Sequence, residues 1–288
     1  MKLNLADPIA GHLSSHTSFC YTGGRHIERG RRTAVFIHGA GHDHSVWTLQ
    51  TRYFASHGWN VVAPDLPGHG GSTGDALASI GEMADWIITL IATLIATLGA
   101  GPATLIGHSM GSLIALEAAA RAPGQVAGLI LVGSVVPMPV AAPLLDATLT
   151  DRDKAHVMIN QWSYAPRAQL GASSIPGISL TALNERLMQR QAPGVLHRDM
   201  AACNAYANGF DAAAQVRCPT LLLSAAQDRM TPPKAIAPLA NAFTGGATVT
   251  RIVLPDAGHA MMSEAPGAVL DAIWTFANAG GSLAQERR

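Results

Sequence analysis

Charge is scarce in this 288-residue chain, and neither sign dominates. Lysine and arginine together number 19, aspartate and glutamate together also number 19, and charged residues make up only 13% of the sequence. Without a basic excess, the composition argues against nucleic acid as a partner. Hydrophobic residues amount to 48%, which argues against disorder and predicts a compact globular protein.

Cysteine is also rare: Cys20, Cys203 and Cys218 lie far apart and form no C-x-x-C pair. An odd number of separated cysteines predicts a reducing compartment rather than a disulfide framework. The chain is long enough to bury a large core, so stability requires no metal or disulfide. The first residues lack the apolar core of a signal peptide, and we therefore expect a cytoplasmic protein.

One nearly uncharged stretch, WIITLIATLIATLGA over residues 86–100, is shorter than the ~20 residues that a membrane span needs. Two acidic residues precede it, and its leucines at 90, 94 and 98 recur every four residues. This spacing is typical of a helix that packs against a sheet. We therefore expect a core helix and no membrane association.

The chain does have a regular alternation of short apolar runs and helical patterns. Continuous apolar runs are typical of parallel strands covered on both faces, so the sequence predicts a doubly wound, mostly parallel α/β sheet. The segment before Arg31 is expected to add one or two antiparallel edge strands. The predicted strands are 33–39, 60–65, 103–108, 128–134, 220–225 and 250–256, and the predicted helices are Ser45–His57, Leu77–Leu98, Ser109–Arg121, Lys234–Asn241 and Pro266–Ala279.

This alternation breaks once, between Val135 and Pro219, where prolines and helical patterns occur without a strong strand pattern. A gap of this length is too long for a plain loop. We therefore predict a core domain made of residues 1–135 and 215–288, with residues 136–214 forming a mainly helical inserted cap.

The stretch TLIGHSMGSLIAL, residues 104–116, places Ser109 between Gly107 and Gly111, with β-favouring residues before it and helix-favouring residues after it. A strand that turns directly into a helix holds this serine on a strained corner, and small residues are needed two positions away. The corner lifts the hydroxyl out of the sheet and aims the N–H of Met110 at whatever the serine attacks. The motif resembles the G-x-S-x-G nucleophile elbow of the α/β-hydrolase superfamily, and the resemblance covers nearly the whole chain.

The resemblance implies a catalytic triad in the order serine, acid, histidine. Asp228, in LLLSAAQDRMTPP, is similar to the acid of the family's G-x-x-D-x-x-T-P loop, although Ala225 replaces the glycine. His259, in DAGHAMMSEAP, follows the last predicted strand and is similar to the histidine of G-H-x-x-x-x-E-x-P. Ser109 would then be the nucleophile, His259 the base and Asp228 the orienting carboxylate. Asp256 is the rival acid, although it lies on the same loop as the histidine.

The segment VFIHGAGHDHSVW resembles the family's oxyanion loop, in which the residue after His-Gly donates its backbone N–H. That residue is Ala40 here, and Gly41 is the alternative donor. The resemblance implies that Ala40 and Met110 together hold the oxyanion, an interaction worth several kcal/mol.

The other histidines and acids of this region are expected to be structural, and His38 is expected to brace the oxyanion loop. DLPGHGGS also matches a family segment that packs beside the site, so neither Asp65 nor His69 is expected to be catalytic. HGAGHDH matches no metal-binding pattern, because adjacent residues of a turn rarely converge on one ion. No G-x-G-x-x-G or G-x-x-x-x-G-K-[ST] motif is present, so the sequence predicts neither a metal nor a cofactor.

The cap is expected to roof the nucleophile and to give the pocket an apolar, methionine-rich lining. We expect Gly41, Met158, Trp162 and Met261 to contact the substrate, which argues for a small to medium, largely apolar ester. Four arginines of the cap are candidates to guard the entrance: Arg152, Arg167, Arg186 and Arg190.

Residues and resemblance together predict a serine carboxylesterase that forms an acyl-enzyme on a small-molecule ester and acts as a monomer or homodimer. Thioesters and lactones would use the same machinery. Carbon–carbon bond hydrolysis is an alternative, although relatives with that activity carry tryptophan after the catalytic histidine, where this chain has Ala260. A non-catalytic ligand receptor built on the same fold is the rival from another class.

Overall fold

The computed structural model describes residues 2–4, 17–173 and 177–279. One eight-stranded sheet forms its centre, with the strands β1 (Lys2–Asn4), β2 (Thr17–Tyr21), β3 (Thr33–Ile37), β4 (Asn60–Pro64), β5 (Ala103–His108), β6 (Val126–Val132), β7 (Thr220–Ala225) and β8 (Val249–Leu254). Their spatial order is β1-β2-β4-β3-β5-β6-β7-β8. Strands β3 to β8 pair in parallel, whereas β1 and β2 pair antiparallel at one edge. The predicted fold class is therefore confirmed, including the antiparallel edge before Arg31.

The parallel strands are continuous apolar runs because both faces of the sheet are covered. Every residue of β3, β4, β5 and β7 is buried. Successive side chains enter opposite layers: Val35 and Ile37 join one hydrophobic cluster, and Ala34 and Phe36 join the other. Because these strands are parallel, their carboxyl ends lie along one edge of the sheet, and the loops after them carry the predicted site residues.

Helices α2, α3 and α10 cover one face of the sheet, and α1 and α12 cover the other. The helices are α1 (Thr48–Ser56), α2 (Ile80–Leu98), α3 (Met110–Arg121), α4 (Ala142–Thr150), α5 (Arg152–Ser163), α6 (Pro166–Gln169), α7 (Leu180–Gln189), α8 (Val195–Ala205), α9 (Gly209–Gln215), α10 (Ile236–Ala242), α11 (Met261–Glu264) and α12 (Pro266–Asn278). The five predicted helices correspond to α1, α2, α3, α10 and α12 to within three residues at each end, and the short helix α11 was not predicted.

Helix α2 is long and apolar enough to cross a membrane by length and composition alone, with a mean hydropathy of 1.5 over Ile80–Thr97. Its leucines Leu90 and Leu94 are buried in the core of the protein. Ser79 caps its first turn by accepting a hydrogen bond from the backbone, and Gly99 ends it in the left-handed conformation. The burial agrees with the expected core helix, and the absence of membrane association stays a prediction.

Between β6 and β7 the chain forms the six helices α4 to α9 rather than a loop. Residues of this segment, among them Leu144, Ile159 and Met200, share one hydrophobic cluster with α3. Buried Glu117 of α3 accepts hydrogen bonds from the Tyr206 hydroxyl at 2.6 Å and from the side-chain amide of a nearby asparagine. The segment is therefore anchored directly on the sheet-covering layer. The predicted division at residues 136–214 stays a prediction.

Candidate active site

Ser109 stands on the corner between β5 and α3, with φ of 53° and ψ of −119°. Among the described residues it is the one non-glycine residue with a positive φ, a conformation that costs about 1–3 kcal/mol. A side chain at Gly107 would collide with the backbone of Gly111, and one at Gly111 would collide with the carbonyls of Ile37 and His38. The two flanking glycines are therefore required because the corner packs backbone against backbone.

Asp228 and His259 form a buried pair at the ends of the neighbouring strands β7 and β8, with Asp228 4% exposed and His259 5% exposed. His259 Nδ1 donates to Asp228 Oδ2 at 2.8 Å. The backbone N–H groups of Met230 and Thr231 donate to Asp228 Oδ1 at 2.8 and 2.7 Å. The hydroxyl of Thr231 donates to Oδ2 at 2.6 Å and lies 3.1 Å from His259 Nδ1. The carboxylate is thus held by four donors, and its orientation is set by the backbone of its own loop.

The loop that carries His259 is fastened on both sides. His108, the neighbour of Ser109, donates from Nε2 to the carbonyl of His259 at 2.9 Å, and the two rings pack 4.6 Å apart. Glu264 accepts from the backbone N–H of Gly258 and from that of Ala165, both at 2.9 Å. The acid of the G-H-x-x-x-x-E-x-P motif therefore ties the histidine loop to the segment between β6 and β7. Burial raises the pKa of Glu264.

Ser109 and His259 face two different cavities. Ser109 lines a cavity of 120 Å³ together with Ala40, Trp162 and Thr231, and His259 lines a cavity of 440 Å³. Within the described chain no hydrogen bond joins the Ser109 hydroxyl to the His259 ring; such catalytic contacts are often loose without substrate.

The oxyanion loop has one backbone N–H without a hydrogen-bond acceptor in the described chain, at Ala40, and one that is already bonded, at Gly41. No described residue accepts a hydrogen bond from the N–H of Ala40, and Met110 is the first residue of α3, so its N–H has no partner inside the helix. Gly41 instead donates its N–H to Asp199 Oδ2 at 2.8 Å. The alternative donor considered from the sequence is therefore already engaged.

Asp199, on α8, had no signal in the sequence, yet it also accepts from His69 Nε2 at 2.9 Å. Burial by itself lowers the pKa of His69, but the Asp199 carboxylate outweighs that effect and the pKa is raised. This buried pair joins the oxyanion loop at Gly41 to the segment DLPGHGGS.

Thr231 was also missed as a site residue, although the T of the D-x-x-T-P pattern marked it.

The predicted substrate contacts differ from what the structure contains. Trp162 lines the smaller cavity as expected. Met261 is fully buried in the core beneath α12, and its neighbour Met262 lines the larger cavity instead. Met158 packs against the core and Gly41 against Leu196, and neither lines a described cavity. Helix phase separates Met261 from Met262, because adjacent residues of a helix point about 100° apart.

The polar residues of the oxyanion region brace one another. His38 accepts from the N–H of Leu66 at 3.1 Å, and burial lowers its pKa to about 4. Asp43, His44 and Asp65 lie close enough to hold a metal ion. However, Asp65 Oδ1 already accepts from the backbone and the ring of His44, both at 2.8 Å. These contacts fit a structural brace, and the absence of a metal requirement stays a prediction.

Comparison with known proteins shows the family of the chain. A model described as "Alpha/beta hydrolase family" matches residues 34–272. The chain belongs to the alpha/beta hydrolase family. Among solved structures, an esterase from Thermogutta terrifontis superposes with a TM-score of 0.77 at 20% identity, covering 98% of this chain and 99% of that one.

Curated relatives match shorter stretches. An (E)-2-((N-methylformamido)methylene)succinate hydrolase from Acinetobacter baylyi is 42% identical over 93 residues, which is 32% of this chain and 34% of that protein. A 2-hydroxy-6-oxononadienedioate/2-hydroxy-6-oxononatrienedioate hydrolase from Burkholderia vietnamiensis is 30% identical over 182 residues, 59% of this chain and 58% of that protein. The matched stretches thus span between a third and three fifths of these relatives.

Proposed function

We propose that this alpha/beta hydrolase is a serine hydrolase that cleaves a small to medium carboxylic ester through an acyl-enzyme. The observation that carries the proposal is the buried Asp228–His259 pair, joined at 2.8 Å, beside Ser109 on its strained corner. A serine, an orienting carboxylate and a base, in this order along the chain and on three loops of one sheet edge, are the parts that acyl transfer needs.

Ser109 Oγ attacks the ester carbonyl carbon while His259 Nε2 takes the hydroxyl proton. Asp228 accepts from Nδ1–H throughout, which keeps Nε2 free as the acceptor and stabilises the imidazolium. The N–H groups of Ala40 and Met110 donate to the oxygen that becomes negative. His259 then protonates the leaving alkoxide, and the alcohol departs.

Water completes the cycle. His259, neutral again, takes a proton from a water molecule whose oxygen attacks the acyl carbon. Collapse of the second tetrahedral intermediate breaks the bond to Ser109 Oγ, which recovers its proton from the imidazolium. The acid product leaves, and the residues return to their starting state. No metal or cofactor takes part in these steps, and thioesters and lactones fit the same sequence.

The experiment that tests the proposal is active-site labelling with an organophosphonate, followed by intact mass. We expect one adduct, at Ser109, together with burst kinetics on p-nitrophenyl acetate. Ser109→Ala should lose both, and Ser56→Ala, at an exposed serine of α1, should keep both. Labelling and turnover that persist in Ser109→Ala would assign the chemistry elsewhere, and binding of esters without turnover would support a receptor.

A second candidate is carbon–carbon bond hydrolysis. The similarity to the Burkholderia vietnamiensis hydrolase named for oxo-dienedioates supports it, and Ala260 after the histidine counts against it. Loss of the dienone absorbance of such a substrate at a rate above that of esters would favour this candidate. The cytoplasmic location, the absence of nucleic-acid and membrane partners, and the monomeric or dimeric state remain part of the proposal.

A further inference from the structure

The 440 Å³ cavity beside His259 is walled by cationic and neutral groups without a single carboxylate. Two arginines and three histidines line it, and none of its described lining residues is aspartate or glutamate: the charged or titratable ones are His42, His108, Tyr164, Arg186, Arg190 and His259. A low-dielectric pocket lined by one sign of charge concentrates ligands of the opposite sign. The wall therefore favours an anion.

Gln50 supplies the second observation. It is one of the residues that line this cavity and is only 1% exposed, and neither Nε2 nor Oε1 has a hydrogen-bond partner in the described chain. A buried amide without partners costs about 1–3 kcal/mol. A carboxylate oxygen would satisfy Nε2, and a hydroxyl or water would satisfy Oε1.

The hydrogen bonds of His42 are the third observation. Its Nδ1 lies 2.7 Å from the carbonyl of Ala40, and its Nε2 lies 2.7 Å from Asn184 Oδ1. Asn184 cannot turn its amide round, because its Nδ2 donates to Asn160 Oδ1 at 2.9 Å, and Asn160 Nδ2 donates to the carbonyl of Thr181.

Both nitrogens of His42 therefore face acceptors, and only the protonated ring can donate to both. Burial lowers the pKa of His42 and opposes that charge. The neighbouring carboxylate of Asp43 favours the charge, and an anion in the cavity would add a second counter-charge. The protonated His42 would then donate to the carbonyl of Ala40 and hold the oxyanion loop in place.

The two arginines differ in their freedom. Arg190 pairs with Asp43 at 2.8 Å and is already neutralised. Arg186 is exposed, and its nearest hydrogen-bond partner is the side-chain oxygen of Gln189 at 3.5 Å. Among the described residues it has no acidic partner. Its guanidinium is therefore not paired with a carboxylate of the described chain.

We propose that this cavity binds a carboxylate carried by the substrate, with Gln50 inside and Arg186 at the rim. The inference rests on the proposed ester hydrolysis and narrows it: the substrate is an ester with a free carboxylate, such as the half-ester of a dicarboxylic acid. The apolar side chains that also line the cavity, among them Leu180 and Leu187, fit the hydrocarbon chain between ester and carboxylate.

The kinetic test compares monomethyl adipate with methyl 5-carbamoylpentanoate, which replaces the carboxylate by a neutral amide of the same shape. We expect the kcat/KM ratio of acid to amide to exceed about 10, as hydrogen bonds to a charged group provide. Arg186→Glu should lower this ratio at least about fivefold. Arg217→Glu, at an exposed arginine outside the cavity, should leave the rate and the ratio unchanged. A ratio near 1, or equal effects of the two variants, overturns the proposal.

The Gln50→Leu variant tests the anion site independently of Arg186. It removes the amide at similar volume, so we expect the ratio to fall on the order of tenfold while the melting temperature stays the same or rises, because an unpartnered buried amide is lost. An unchanged ratio in folded Gln50→Leu removes Gln50 from the site and overturns this arrangement. If the variant does not fold, the Arg186→Glu comparison decides.

Binding separates failure of this inference from failure of the proposed hydrolysis. Titration of adipate into Ser109→Ala should give a dissociation constant at least about fivefold lower than that of adipamide, and Arg186→Glu should remove the difference. Adipate binding without hydrolysis of either ester would keep the anion site and refute the esterase. Hydrolysis of both esters without this preference would keep the esterase and refute the anion site.

Discussion

Replacing Asp228 by asparagine changes one atom at the centre of the site, and the surrounding hydrogen bonds dictate how that atom is placed. Two backbone N–H groups, from Met230 and Thr231, donate to Oδ1. An amide nitrogen cannot accept them, so the amide oxygen of the variant must take this position. The NH2 group is then forced to face His259 Nδ1.

This arrangement selects the wrong tautomer of the histidine. The new NH2 donates to Nδ1, so the ring proton moves to Nε2, and Nε2 can no longer accept the proton of Ser109. In a well-studied serine protease the same change lowers turnover about 10⁴-fold, which corresponds to about 5.4 kcal/mol of transition-state stabilisation. Thr231 Oγ lies 3.1 Å from Nδ1 and can accept its proton in the productive tautomer. This contact can preserve part of the activity, so the smallest loss that we expect is about 100-fold. We therefore predict a loss of kcat on the order of 10²–10⁴ for Asp228→Asn.

The assay is steady-state and burst-phase hydrolysis of p-nitrophenyl acetate, on protein whose far-UV spectrum and melting curve show that it is folded. The matched control is Asp256→Asn. Asp256 lies three residues before the histidine, but it is exposed and no described residue forms a hydrogen bond with its side chain. Its variant should keep kcat within about twofold, as most surface substitutions do. A folded Asp228→Asn enzyme within tenfold of the wild type, or a larger loss in Asp256→Asn, would refute the reasoning.

Three further predictions concern the elbow, acid stability and the smaller cavity. Gly107→Ala should abolish soluble, folded protein, because its Cβ would enter the backbone of Gly111; a normal melting curve would contradict this packing. Burial lowers the pKa of His38 to about 4, so between about pH 6.5 and 4 the unfolded chain binds a proton that the folded chain does not. Urea unfolding should therefore lose about 2 kcal/mol from this residue between pH 6.5 and 5, and an unchanged slope in folded His38→Gln would contradict the assignment. Trp162→Ala should shift the preferred chain length of p-nitrophenyl esters upward, whereas Met158→Ala, outside the described cavities, should not; equal profiles for both would exclude Trp162 from the pocket.

Much of the fold was accessible from the sequence because its signals are local. A run such as residues 103–108 is apolar at every position, and only a strand covered on both faces buries all of them. The boundaries of α3 follow from the strand before it and the corner at Ser109. The order of elbow, acid loop and histidine loop along the chain was likewise readable, since each follows its own strand.

The site was less predictable from the sequence, because its chemistry depends on which backbone and side-chain atoms already have hydrogen-bond partners in the folded protein. Gly41 was the alternative donor to Ala40, and no local pattern showed that Asp199, 158 positions away, accepts its N–H. Met261 and Met262 are equivalent in sequence, yet the phase of α11 sends one into the core and the other to the cavity. Such outcomes depend on long-range contacts that no local pattern encodes.

The parallel sheet, the strained serine corner and the order of serine, acid and histidine follow from local sequence, because backbone sterics and apolar periodicity act between near neighbours. The motif also favoured Asp228 over Asp256, and the folded protein supplies the contact between Asp228 and His259. Only the tertiary structure brought Gln50 and Arg186 to one carboxylate-free cavity. Helices from distant parts of the chain build that cavity, and the character of its wall exists only after they pack together.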